Sequence, residues 1–143
     1  RFLAQPSHPS IRLWDDSRQA VLSESAPAAP PVDYSPKARM LAGDEIAFCA
    51  DALPLRACYV LETRQPGPVV VEPLSARDAV VELVRNCFLL DVEERQALRH
   101  HYRQLLTIVR RTPFFRLDYT RQYGNLPAVR AAIVEHVRSL PPD

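Results

Sequence analysis

The stretch VVVEPLSARDAVVELVRNC, residues 69–87, changes its hydrophobic period part-way along. Val69, Val70 and Val71 are β-branched, a side-chain shape that packs well on a pleated surface, and they predict a strand. Beyond Pro73 the apolar positions Val80, Leu83, Val84 and Cys87 recur at i, i+3, i+4 and i+7, which is one face of a helix. Ser75 with Asp78 three residues later resembles a capping box, so the helix is expected to start there. The chain therefore hands over from strand chemistry to helix chemistry near Pro73.

Upstream of this point, residues from Ala38 to Val71 read as strands. Ala47 to Cys49 and the run LRACYVL at 55–61 are short, apolar and partly β-branched or aromatic, with Pro54 between them. The segment RQPGP at 64–68 predicts a tight reversal at Gly67, which gives two or three strands over 38–72. Residues 23–36, SESAPAAPPVDYSP, have no apolar period and read as a proline-rich loop. Residues 1–22 are expected to be extended and turn-like. Pro6 and Pro9 bias their predecessors away from helix, and Ile11, Leu13 and Trp14 form an apolar patch.

Downstream the period stays helical. Asp91 with Glu94 marks a helix start, and Leu98, Tyr102, Leu105, Leu106 and Val109 share a face of a helix that should stop before Pro113. FFRLDY, 114–119, predicts a short strand with Phe115 and Leu117 on one side. RQYGN turns the chain, and Asn125 is expected to cap a last helix that buries Leu126, Val129, Ile133, Val137 and Leu140. Strands first, then a helical layer over 73–140 with one late strand, make an α+β fold in a single domain spanning 1–143.

Composition narrows the functional classes. The chain has 143 residues, 47% of them apolar, enough for a core but with only Gly43, Gly67 and Gly124 as glycines. These lie too far apart to build a glycine-rich phosphate loop. A formal charge of +1 gives no overall field toward nucleic acid or membrane, and neither partner is expected. Cys49, Cys58 and Cys87 lack CxxC spacing and suit reduced, buried thiols of a cytoplasmic protein. No run approaches the length of a membrane span.

Several constellations carry candidate chemistry. His100 and His101 are adjacent, so on a helix they diverge and do not chelate; no metal site is expected. Cys87, His136 and Asp118 form an arithmetically possible nucleophilic set without a family signature. Arg95, Arg99 and Arg103 recur at i, i+4, followed by Arg110 and Arg111. With Glu93 and Glu94 at pairing distance, this stripe reads as a solvated face rather than a phosphate-binding one. Asp15-Asp16 could hold Mg²⁺, or could serve as a turn or helix cap. Lys37 is the single lysine among 18 basic residues. Where arginine is the default cation, a retained ammonium suggests a compact point charge for a phosphate, with Arg39 on the same face if the segment is extended.

The order of these blocks carries a resemblance. PSHPSIRLWDDS (6–17), the Lys-x-Arg of 37–39, ALPLRACYVLE (52–62), PLSARDAVVELVRN (73–86) and PFFRLDYTRQYGNLPAVRAAIVEH (113–136) resemble successive blocks in the C-terminal part of HPr kinase/phosphorylase-related serine kinases, which have a phosphoenolpyruvate-carboxykinase-like fold. The resemblance implies part of an ATP- and Mg²⁺-dependent phosphotransferase without its phosphate loop GxxxxGK[ST], expected upstream of Arg1. ATP and Mg²⁺ belong to the parent family and are not expected to bind this chain tightly alone. Lys37 and Arg39 match a basic block that would face nucleotide or acceptor, while Asp15-Asp16 follow Leu13-Trp14 and do not occupy the family's acidic position. The implied partners are an upstream nucleotide-binding half or a second copy, and a peptide or protein serine acceptor. A non-enzymatic peptide- or protein-binding module derived from that fold is the alternative.

Overall fold

The computed structural model describes residues 2–62, 67–87 and 94–141. The order of elements is β1 (Leu3–Ala4), β2 (Ser10–Leu13), α1 (Asp15–Val21), β3 (Ala38–Leu41), β4 (Leu53–Pro54), β5 (Cys58–Glu62), β6 (Val70–Pro73), α2 (Ala76–Asn86), α3 (Arg95–Arg111), β7 (Phe114–Asp118), a 3₁₀ turn (Tyr123–Asn125) and α4 (Leu126–Ser139). This is an α+β arrangement of four helices and several small sheets among the described residues. They fall into two compact units: Ala4–Leu53, and Pro54–Asp143 with Arg1–Leu3.

The larger unit is built on a three-stranded sheet of order β5-β7-β6, in which β7 runs parallel to β5 and antiparallel to β6. The late strand expected from FFRLDY is thus the central one. Its position explains its burial: Phe114, Phe115 and Leu117 are all buried, and Leu117 is 1% exposed. The expected alternation, with Phe115 and Leu117 on one side, holds, and Phe114 is covered on the other face as well. Burying one such side chain contributes about 1.5–3 kcal/mol.

The helix begins where the sequence places it. Ser75 Oγ accepts the Asp78 N–H at 3.1 Å and donates to the Asp78 carboxylate at 2.7 Å. The face that α2 buries is different, however: Ala79 is fully buried, whereas Val84 is 47% exposed. α3 stops at Arg111 before Pro113, as expected. Its expected start at Asp91 and the reversal over 64–66 lie outside the described residues. Asn125 occupies the N-cap position of α4 as expected but makes no side-chain cap bond; its amide donates to the Thr120 carbonyl at 3.0 Å, and Pro127 near the start of α4 pre-sets the helical φ. Of the face expected on α4, Val129 is buried and Leu126 exposed.

In the smaller unit, β2 and β3 form an antiparallel pair with Ser10 opposite Leu41, Ile11 opposite Met40, Arg12 opposite Arg39 and Leu13 opposite Ala38. The proline-rich loop covers the far edge of β3. The Ala29 N–H donates to the Arg39 carbonyl at 2.8 Å, and the Leu41 N–H donates to the Pro27 carbonyl at 2.9 Å. Met40, 1% exposed, is the core of this unit. Two expectations fail here. Residues 47–49 form no strand, and 15–21, expected to be extended or turn, form a helix. The two aspartates open that helix, where carboxylates favour the positive end of the dipole.

Candidate functional site

The candidate site grows from the register of β2 and β3. Ala42 N–H donates to the Pro9 carbonyl, whereas the polar groups of Arg39 and Leu41 turn toward the proline-rich loop. The alternation makes Arg12 and Arg39 a non-hydrogen-bonded pair, the kind whose side chains stand closest. Lys37 lies in a bend just before β3 and Trp14 just after β2. Of the unit's four cations, Arg12 and Arg39 thus stand opposite each other across the strand pair, and Lys37 precedes Arg39 by two residues.

Two aromatic rings are interleaved with these charges. Lys37 Nζ lies 5.0 Å from the centre of the Trp14 ring, and the Arg12 guanidinium lies 5.2 Å from that of Tyr34, whose hydroxyl accepts its Nη2–H at 2.9 Å. Cation–π contact of this kind contributes about 0.5–1 kcal/mol at an exposed site. Trp14 and Tyr34 are 51% and 77% exposed, so both rings are available to a ligand. The Arg39 side chain has no hydrogen bond or ion pair with any described residue.

Beside Lys37 is a cleft of about 310 Å³ bounded by Asp15, Arg18, Ala28, Pro31 and Ser35. Ser35 Oγ accepts the Lys37 N–H at 3.3 Å. Asp15 is paired with Arg18 at 3.6 Å, and Asp16 accepts the Ser17 N–H at 2.8 Å. No group of three or more His, Cys, Asp or Glu among the described residues is arranged to hold a metal ion. The chemistry open to this face is electrostatic capture of an anion, with a ring edge or plane for whatever adjoins it.

The shared face expected for Lys37 and Arg39 required an extended segment, and Lys37 lies in a bend before β3. Strand pairing sets Arg12 opposite Arg39, loop return brings Tyr34 to Arg12, and Trp14 meets Lys37, which no local spacing reveals. His136 Nδ1 lies 2.7 Å from the Tyr59 hydroxyl and packs edge-on to Phe115, and the Cys87 thiol donates to the Val84 carbonyl of its own helix. Burial pushes the Tyr59 hydroxyl and the Cys58 thiol above their ordinary pKa values. Cys49 is exposed rather than buried.

No protein-family model, curated protein or solved structure matches the chain. No helix among the described residues is long and apolar enough to cross a membrane.

Proposed function

We propose that the face of Arg12, Lys37 and Arg39 binds a phosphate-bearing ligand, with Trp14 and Tyr34 as its flanking rings. One observation carries the reading. Arg12 stands directly opposite Arg39 as a close cross-strand pair, an arrangement that repels unless an anion lies between the two. A phosphate accepts bidentate bonds from a guanidinium and a point-charge contact from an ammonium, and this face presents both kinds of donor.

The same face fits the larger proposal suggested by the order of sequence blocks. In that proposal the chain is the C-terminal part of an HPr-kinase-like serine kinase, a partial phosphoenolpyruvate-carboxykinase-like domain that packs on an upstream nucleotide-binding half. Its basic face would meet the phosphoryl group or the phosphorylated acceptor. The α+β order and the pairing of Arg12 with Arg39 support this reading.

Trp14 is the chain's single tryptophan, and Lys37 lies over its ring, so intrinsic fluorescence reports the site directly. Titration with pyrophosphate and with O-phosphoserine should change Trp14 emission saturably and in a salt-sensitive way. Lys37→Ala with Arg39→Ala should weaken binding at least tenfold, about 1.4 kcal/mol. Equal affinity in the double variant would remove the proposal.

A further inference from the structure

α2 and α3 pack together in the larger unit. The chain enters α2 from β6 and leaves α3 into β7, and these strands pair, so the start of α2 and the end of α3 lie at one end of the helix pair. Along the seam runs a cleft of about 360 Å³ with an apolar floor of Val80, Val81, Leu106 and Val109. Its surroundings are left open: Val81 is 41% exposed, Val84 47% and Tyr102 48%. The face expected to be wholly buried on α3 is thus split, with Leu105 in the core and Tyr102 at the surface.

The rim is basic. α3, RQALRHHYRQLLTIVRR, contains five arginines and no carboxylate. At 100° per residue, Arg95, Arg99, Arg103 and Arg110 fall within roughly 80° of arc, overlapping at one edge the arc of Tyr102, Leu106 and Val109. Arg77 borders the cleft from α2, and Arg110 lines it from α3. None of these arginines has an ion pair with a described residue. Glu93, one of the two glutamates expected to compensate the stripe, lies outside the described residues.

We infer that this cleft receives an acidic amphipathic helix of a partner protein. The helix lays an apolar stripe on Val80, Val81, Leu106 and Val109 and sets carboxylates against Arg99, Arg103 and Arg110 on one side and Arg77 on the other. Charge complementarity selects the occupant, and the floor selects its form: two helices with a half-open apolar seam accept a third helix by its i, i+3, i+4, i+7 side chains. The seam from Arg110 to Tyr102 is about 12 Å long, so two to three turns suffice. A nucleic acid strand would leave the valine floor uncovered, since only Tyr102 offers a ring. A second copy of the chain does not supply the partner from its described helices, because α1, the one with paired aspartates in its first turn, is only 7 residues long.

The test uses the full chain and fluorescence anisotropy. The probe is a labelled helical peptide with leucines at i, i+3, i+4 and i+7 flanked by glutamates. Its lysine-for-glutamate isomer and a single-stranded oligonucleotide are run beside it. The glutamate peptide should bind saturably and the lysine isomer should not. Val81→Asp, at an exposed position, should weaken binding at least tenfold. Arg99→Glu with Arg103→Glu should shift preference to the lysine isomer, with circular dichroism showing both variants folded. Absence of saturable binding below about 1 mM, or insensitivity to Val81→Asp, overturns the inference. So does oligonucleotide binding equal to that of the peptide, which would make the stripe a general polyanion surface.

Discussion

Glu45 illustrates how single side chains tie the smaller unit together. Its carboxylate accepts both the N–H and the hydroxyl of Ser23, and these bonds hold its pKa below the ordinary glutamate value. A depressed carboxylate adds stability above its unfolded pKa and loses it as pH falls through the folded value. The melting temperatures of the native chain and Glu45→Gln should therefore differ at neutral pH and converge below the ordinary value of about 4.3; a gap independent of pH would contradict the clamp. At this scale the sequence was partly legible. Lys37 stood out because a lone lysine among arginines implies a specific use of a compact charge. Arg12 and Tyr34 did not, because only cross-strand register sets Arg12 opposite Arg39 and only the return of the proline-rich loop brings Tyr34 to Arg12.

Among the elements, α2 tests the clearest local signal. Ser75 satisfies an otherwise free N–H of the first turn, so Ser75→Ala should destabilise the chain by about 1 kcal/mol in urea unfolding. Ser75→Asn, which restores an acceptor, should recover most of the loss. The cap, the stop before Pro113 and the late strand were readable because each depends on neighbours in sequence. α1 was missed because its 7 residues are too few to establish a period and Trp14 provides no side-chain cap. The buried faces of α2 and α3 were misjudged for a different reason. Periodicity identifies an apolar stripe, but not which part of it the rest of the chain covers.

For the whole molecule, net charge conceals how charge is distributed. The total is +1, yet acidic residues outnumber basic ones in Ala4–Leu53 while α3 carries arginines without a single carboxylate. An inference from net charge alone therefore undervalues both basic faces. Phosphoryl transfer depends on positioned metal and phosphate-cradling groups, and the glycines of this sequence cannot build that loop. Incubation of the full chain with ATP, Mg²⁺ and serine-containing acceptors should give no transfer above background, and stoichiometric phosphate incorporation would refute this expectation. The order β5-β7-β6 has a further consequence during synthesis. The middle strand of the sheet is the last of the three to leave the ribosome, and among the described residues its neighbours pair only with it. Until Phe114–Asp118 emerges, the nascent chain carries two strands with bare edges. Their protection depends on late closure of a long loop, a period in which holding chaperones would matter most.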